Sequence, residues 1–532
     1  MSQNTPAISI PTYSRRTNLL LFATALLLLA VGMGVRMYDL TDQPLDFHPT
    51  RQLRSAIIAR GMYYQMMPEA NPSTRRDAIL FWHSTGQYEP SILERIVAYT
   101  YLATGGENLW IARIYTSLFW IIGGLALFDL ARRMALAAYN NNRPEGSSAA
   151  RVGYLTGAAA LVALGYYLFL PFGVQASRSF QPDPGMVMCI ILSVYSLYRW
   201  SETKAWIWAV LAGLLGGIAV LLKVVAAYIV AGAAVGVVLY TLGLKRFWRS
   251  LQVWSMAILM ITPSAIYYLV ENQGRASTYF TSWTVQLSHL LLEPSFYVRW
   301  VSFVQNLMGL MIILLALVGV LIASPRNRAL LLGLWGGYIL YGLFLPYQMY
   351  THSYYHEQLI PILALSLVPV AQAILERLQQ QPKIWQILFT GVMLAGIAFP
   401  AWVAVSTQKA ENDRKEPAYW QEIASYLPDD GKILALTQDY GYRLMYYGWR
   451  KVILWPNSGE LSLSALRGSQ KEFETLFKNK IEDKSYFLVT AFGQFKDQPQ
   501  LQKTLADNYP VYAQGDGYII YDLQNPLASA HD

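Results

Sequence analysis

Charge is what this sequence has least of. Only 14% of its 532 residues are Asp, Glu, Lys or Arg, where a soluble domain carries about a quarter. Cysteine is nearly absent: the single Cys189 sits in an apolar run, which excludes a disulfide framework and a cysteine-based metal site. No basic tract with interleaved aromatics occurs, so the formal charge of +8 does not read as nucleic-acid binding, and no nucleic-acid partner is expected. Internal repeats and paired broken helices are also missing, which argues against common transporter architectures.

What fills the chain is hydrocarbon. Hydrophobic residues make up 54% of it, mean hydropathy is +0.27, and many segments reach the roughly 20 apolar residues that cross a bilayer. The sequence therefore predicts a polytopic α-helical membrane protein. Residues 19–35 are apolar and preceded by Arg15 and Arg16. No small-residue cleavage site follows, so an anchored first helix is expected rather than a signal peptide. Further spans are predicted at 109–130, 150–171, 185–200, 205–222, 224–243, 250–270, 301–323, 329–346, 358–375 and 384–404, about eleven in all. Every short loop on the inner side of this register is basic, from Arg132, Arg133, Arg143 and Arg151 to Arg377 and Lys383. By the positive-inside rule the N-terminus is cytoplasmic, and an odd count leaves the C-terminal domain extracytoplasmic.

Two outer regions interrupt the hydrocarbon. Residues 38–108 form a long first loop, and the segment from 407 to 532 reads as a small α/β domain after a membrane part of 1–406. Strands are predicted at 432–437, 452–455, 486–491, 509–513 and 518–523, the last two joined through Gly515-Asp516-Gly517, with helices at 420–427 and 473–479. The domain has no phosphate-loop or nucleophile motif, so acceptor handling or stability is expected of it. Within the first loop, Tyr88 to Leu102 reads as an interfacial helix with Pro90 in its first turn and a stripe of Ile92, Leu93, Ile96, Val97 and Tyr101.

Chemistry concentrates in the stretch Pro44 to Gln52. Asp46, His48, Arg51 and Gln52 lie close together there, and Pro49 suits the first turn of a helix, which puts His48 at the N-cap. On that helix Arg51, Arg54 and Ser55 share a face at i, i+3, i+4, opposite Leu53, Ala56 and Ile57. A cationic face beside a helix N-terminus attracts anions; an ordinary loop gripping lipid headgroups is the plainer alternative.

Ionisable groups inside a bilayer cost about 2.5–3.5 kcal/mol, so each needs a reason. Ser177-Arg178 through Asp183 lies at an outer mouth, and Lys223 at the turn between two spans. Arg178 and Lys223 are expected to hold an anionic lipid carrier, against the alternative of snorkelling to headgroups; Asp183 could simply pair Arg178. In the last outer loop, His352 and His356 with Glu357 could bind a metal if helical, but no further ligand is evident. Substrate contacts from His352, Tyr355 and His356 are expected instead, with no metal and no cofactor. Glu89, before Pro90, is a substrate-binding candidate or a helix cap.

On these residues the chain resembles the GT-C superfamily of membrane glycosyltransferases, in particular bacterial relatives of protein O-mannosyltransferases and lipid A aminoarabinose transferases. The resemblance covers the first helix, the first-loop acid, the run Glu107-Asn108-Leu109-Trp110-Ile111-Ala112-Arg113, the run Phe128-Asp129-Leu130-Ala131-Arg132-Arg133, Ser177 to Asp183, and Lys223. It implies a polyprenyl-phosphate sugar donor, an extracytoplasmic reaction, a bacterial-type inner or plasma membrane, and Asp46 as catalytic base. The acceptor would be a glycan, lipid or protein. Many relatives carry Asp-Glu at the first-loop acid, whereas this chain has Asp46-Phe47-His48, which makes His48 a candidate for the second acid's work. A transporter, or a non-catalytic binder of lipid-linked sugars, is the alternative class.

Overall fold

The computed structural model describes residues 15–86, 88–141, 149–272, 275–428 and 432–527; Arg143 of the first basic loop lies outside them. In chain order the helices begin with α1 (Arg15–Met37), α2 (Pro49–Gln65), α3 (Pro72–Ser84), α4 (Ile92–Thr104), α5 (Trp110–Asn141) and α6 (Ala149–Phe169). They continue with α7 (Pro171–Ser177), α8 (Asp183–Thr203), α9 (Trp206–Leu222), α10 (Ala226–Leu242), α11 (Leu251–Ile266) and α12 (Arg275–Phe280). The last of the membrane part are α13 (Pro294–Met308), α14 (Leu310–Ile322), α15 (Pro325–Phe344), α16 (Leu359–Leu378) and α17 (Lys383–Ala410).

The chain divides into two compact units. One comprises the stretch ending at Leu40, Tyr88–Pro90 and Ala112–Ala410; the other comprises Thr41–Gln87, Ser91–Ile111 and the chain from Glu411 onward. The first-loop helices α2, α3 and α4 thus cluster with the C-terminal region.

In the helical unit a helix lies over each segment expected from hydropathy. Among the described residues six helices are long and apolar enough to cross a membrane, or seven if the pair α13 and α14 is one span. The predicted continuous span at 301–323 is corrected: α13 and α14 meet at an angle of 99°, because Gly309 between them takes φ +86, a conformation that ends a helix. Much of the outer surface is apolar, with Leu26, Leu27, Ile258, Leu321, Ile387 and Trp402 more than half exposed, as hydrocarbon surroundings allow. Helices α10 and α15 cross at glycines. A methyl group on Gly232 would collide with the Gly333 carbonyl, and one on Gly337 with the Tyr228 carbonyl. Gly232 and Gly236 on α10 therefore face Gly333 and Gly337 on α15, a small-xxx-small pair on each side.

In the second unit, α2 packs on α3 and α4. Helix α3 was not expected from the sequence, although its start is well signalled: Pro72 opens it and the Asn71 side chain accepts from the Ser73 amide at 3.0 Å. Its charged Arg75-Arg76-Asp77 run breaks the apolar period. Helix α4 begins at Ile92 after the N-cap Ser91, so Pro90 precedes the helix instead of entering its first turn. Only part of the expected stripe points inward. Leu93, Val97 and Tyr101 are buried, while Ile92, Ile96, Tyr99 and Leu102 are exposed. The helix is apolar on both sides, which one stripe could not show.

The C-terminal region adds α18 (Glu416–Ser425), β1 (Ile433–Leu436), α19 (Tyr442–Tyr447), β2 (Ile453–Leu454), α20 (Ser458–Leu466), α21 (Phe473–Ile481) and β3 (Tyr486–Val489). It ends with α22 (Phe492–Lys496), α23 (Pro499–Asn508), β4 (Val511–Gly515) and β5 (Tyr518–Asp522). All five expected strands are present, in the order β2-β1-β3-β5-β4. β1 runs parallel to both β2 and β3, and β5 antiparallel to β3 and β4. From adjacent β1 and β3 the chain moves to opposite sides, β1 to β2 and β3 to β4, so their carboxyl ends stand at a topological switch point. One face of the sheet packs on Trp455, Phe477, Phe495, Leu501 and Leu505.

The glycine crossing yields a prediction. Gly333→Leu should force α10 and α15 apart and cost about 1–3 kcal/mol or more, read as a lowered thermal midpoint in detergent. Gly336→Leu, at a position open on its Cβ side, should leave the midpoint near that of the parent.

Candidate functional site

The first-loop stretch lies in the second unit. His48 is the N-cap of α2, as expected, but it takes a left-handed conformation (φ 47, ψ 67) and its side chain makes no capping bond. The turn is closed by the backbone, since the Arg51 and Gln52 amides donate to the His48 carbonyl at 2.9 and 3.3 Å. The Gln52 side chain reaches back, donating to Asp46 Oδ1 at 3.1 Å and to the Phe47 carbonyl at 2.8 Å. Asp46 is half-buried, so its carboxylate is oriented by Gln52 yet still reachable. On the face of α2 expected to attract anions, Arg54 and Ser55 have partners within the unit. Arg54 is buried and donates to the Gly86 carbonyl, and Ser55 donates to Glu94 Oε1 at 2.8 Å. Gln52, Arg54 and Ser55 hold α2 in its unit, and of that face only Arg51 is half-exposed.

Sequence reading missed the carboxylates that the fold gathers around this turn. Asp42 accepts from the Asp413 amide at 3.0 Å, and Asp439 accepts from the Thr50 hydroxyl at 2.9 Å. Burial holds the Asp413 carboxyl above its ordinary range, and Asp42 and Glu416 push the same way; Arg443 opposes and Asp46 adds to the rise. No local pattern signals Asp413 and Asp439, because they lie hundreds of positions from Asp46 in sequence.

The remaining candidates lie in the helical unit. Arg178 is buried and its Nη2 donates to the Tyr38 and Asp39 carbonyls at 2.9 and 3.0 Å. That position fits a scaffold role better than the expected lipid-phosphate contact. Asp183 pairs with Lys223 and not with Arg178: the Lys223 Nζ to Asp183 Oδ1 distance is 2.5 Å, with both side chains buried. Lys223 also stands over the rings of Tyr354 and Tyr355, at 4.5 and 4.7 Å, a favourable placement for an ammonium. Asp183 Oδ2 and the Tyr341 hydroxyl are buried without a hydrogen-bond partner, a condition that costs about 1–3 kcal/mol per group. Tyr355 shares a hydrogen bond with Tyr279 at 2.9 Å. Together these groups form a polar, aromatic-walled spot inside an apolar unit.

The histidines separate. His356 is fully buried, with Nδ1 bonded to the Tyr338 hydroxyl at 2.7 Å and Nε2 to the Met349 carbonyl at 3.1 Å. Both ring nitrogens are thus bonded within the fold. The segment is a short 3-10 turn, Ser353–His356, and not an α-helix, so His352 and His356 do not share a helical face. His352 is half-exposed and bonds the Thr351 hydroxyl at 2.7 Å. Glu89 is half-exposed too, two residues ahead of the Ser91 N-cap of α4. An apolar cavity of about 690 Å³ opens between α9, α10 and α11, lined by Val224, Ala231, Val235, Met256, Met260 and Tyr268 among others.

The chain combines a bundle of apolar helices, an acid-bearing loop after the first of them and a small mixed sheet at the end, an architecture that resembles the GT-C fold. The sequence profile of the dolichyl-phosphate-mannose-protein mannosyltransferase family matches residues 150–268. Among solved structures the fold is similar to ArnT from Cupriavidus metallidurans bound to undecaprenyl phosphate, with a TM-score of 0.53 at 15% identity over 95% of this chain and 97% of that one. ArnT from the same organism in the apo state gives 0.54 at 16% identity over 96% and 98%. No curated protein matches the chain by sequence.

Two predictions follow from these contacts. Lys223→Met should leave Asp183 buried and unpaired and cost about 3–5 kcal/mol; adding Asp183→Asn should recover most of it, as thermal unfolding in detergent would show. For Asp413 the sign is set by its raised pKa. The ionised form costs stability at neutral pH, the cost is relieved as pH falls through the raised value, and it is gone below the ordinary 3.8. Asp413→Asn should therefore raise the thermal midpoint slightly at pH 7, and the gain should close as the pH is lowered.

Proposed function

We propose that this protein transfers a sugar from a polyprenyl-phosphate donor to an acceptor hydroxyl on the extracytoplasmic side of the membrane. The observation that carries the reading is the fold correspondence over nearly the whole of both chains with a protein crystallised with undecaprenyl phosphate. The Lys223 ammonium supplies a cation for the donor phosphate, and the apolar cavity lined by Val224 accepts isoprenoid chain. The tyrosines over Lys223 offer ring faces to the sugar. Asp46, oriented by Gln52, is the general base.

In the step, the acceptor oxygen attacks the anomeric carbon while its proton passes to the Asp46 carboxylate. The bond from that carbon to the phosphate oxygen breaks, and polyprenyl phosphate leaves with the electron pair. The leaving group is already a stable anion, so a single base suffices. His48, half-exposed at the adjoining N-cap, orients the acceptor in this reading. The acceptor is a glycolipid, a polysaccharide or a protein. In the membrane the N-terminus is cytoplasmic and the sheet domain extracytoplasmic, as the basic loops suggest.

Incubating purified protein with radiolabelled polyprenyl-phosphate sugars tests the reading, since an enzyme releases free polyprenyl phosphate while a transporter or a binder does not. Asp46→Asn keeps the size of the side chain and removes its basicity. Turnover should fall roughly 10²–10⁴-fold with donor binding intact. A well-folded Asp46→Asn protein turning over at the parental rate would remove Asp46 from the mechanism.

A further inference from the structure

The loop leaving β1 is unusual in its backbone. Asp439 (φ 50, ψ 39) and Tyr440 (φ 56, ψ 30) are left-handed, and Gly441 follows at φ 75, so three residues in succession adopt a region that non-glycine residues rarely enter. This loop sits at the carboxyl end of β1, at the switch point of the sheet. It is tied to the end of β3, where the Thr490 hydroxyl donates to Thr437 Oγ1 at 2.8 Å and Gln438 Nε2 donates to the Thr490 carbonyl at 3.0 Å. Gly441 is required there, since a Cβ would stand 2.6 Å from Val452 Cγ2. Observed strain of this kind persists only where surroundings over-determine it, and it clusters at functional sites.

What the strain accomplishes is visible in the Asp439 carboxylate. Oδ2 accepts from Arg443 Nε at 2.5 Å, and Arg443 is itself anchored to Glu416 at 3.0 Å. Oδ1 accepts from the Thr50 hydroxyl at 2.9 Å. Thr50 is the second residue of α2, two beyond the left-handed His48 and within the same turn as the Asp46–Gln52 hydrogen bond. The sheet region thus grips the turn that carries the first-loop acid, through a fixed chain from Glu416 to Arg443 to Asp439 to Thr50.

We infer that Asp439 is a positioning residue for the reaction: it fixes the His48–Thr50 turn through Thr50 and thereby sets the direction of the Asp46 carboxylate. This rests on the assignment of Asp46 as the base. It gives the C-terminal region a part in transfer, through one named contact.

The test uses the full-length protein in detergent. Thr50→Val removes the hydroxyl at nearly constant shape, Thr50→Ser retains it, and Asp439→Gly deletes the carboxylate while keeping left-handed backbone accessible. Thr50→Val and Asp439→Gly should each lower kcat by roughly ten- to a hundredfold with donor affinity unchanged. The double variant should be no worse than the poorer single one, and Thr50→Ser should restore the rate. Hydrogen exchange at the Arg51 and Gln52 amides should accelerate in Thr50→Val and recover in Thr50→Ser. Parental kcat in Thr50→Val overturns the inference, as does a loss of donor affinity in step with the rate. Unaltered exchange overturns it whether or not the chain transfers sugar. Accelerated exchange in a chain whose parental form shows no transfer removes the functional reading and leaves the structural link standing.

Discussion

The helical unit depends on buried guanidinium groups gripping backbone carbonyls where the first helix ends. Arg36 donates to the Gly32 carbonyl of its own helix at 2.9 Å, to the Leu168 carbonyl at the end of α6 at 3.0 Å, and from Nε to the Ser177 hydroxyl at 2.6 Å. Arg178 takes the Tyr38 and Asp39 carbonyls, and Arg113 the Asp39 and Leu40 carbonyls at 3.3 Å. Three arginines from three parts of the chain, each almost wholly buried, thus converge on one exit. Helix C-termini carry partial negative charge from their unpaired carbonyls, so a cation there is favourably placed. A planar fork with five donors can serve several carbonyls at once in a fixed geometry. These contacts fix where the chain leaves the membrane unit and enters the acid-bearing loop.

Lys223 is held in a different way. Its carboxylate partner, Asp183, uses one oxygen and keeps the other without a hydrogen bond, and the nearby Tyr341 hydroxyl is equally unpartnered. A buried ion pair gains Coulomb energy but costs desolvation, and it breaks even only when its remaining lone pairs are satisfied. Arg36, in the same unit, engages three acceptors while its Nη2 is left without one.

How much of this could be read from the sequence follows from how local each signal is. Hydropathy is local, so a helix lies over every expected span, and the alternating strands with Gly515-Asp516-Gly517 gave the sheet. Gly309 broke one span, and no hydropathy sum registers a backbone angle. The N-cap at His48 was legible from Pro49, and Lys223 at its turn was legible because a lysine there costs energy. Partner choice was not. Arg178 and Asp183 are close in sequence and look like a pair, yet Lys223 from another helix takes the carboxylate. His356 resembled a ligand until its two ring nitrogens were found bonded to Tyr338 and Met349. The carboxylates near the first-loop turn, Asp42, Asp413 and Asp439, come from long-range contacts that periodicity cannot carry.

The same long-range contacts decide what the C-terminal region is for. Arg60 of α2 pairs with Glu107 at 2.7 Å, donates to the Tyr446 carbonyl at 2.6 Å, and lies against the rings of Tyr446 and Trp449 at 3.6 and 4.5 Å. A guanidinium so enclosed is stable only with all its partners present, because removing one side of a buried pair costs about 3–5 kcal/mol. Asp42 meets Asp413, and Thr50 meets Asp439, along the same junction. The first loop therefore has no complete core of its own: its helices are short and its central arginine finds its acceptor and ring partners in the sheet region. A domain that only decorated the membrane part would not supply the interior of the acid-bearing loop. The first loop and the C-terminal region are therefore one packed unit, and Asp46 lies within it.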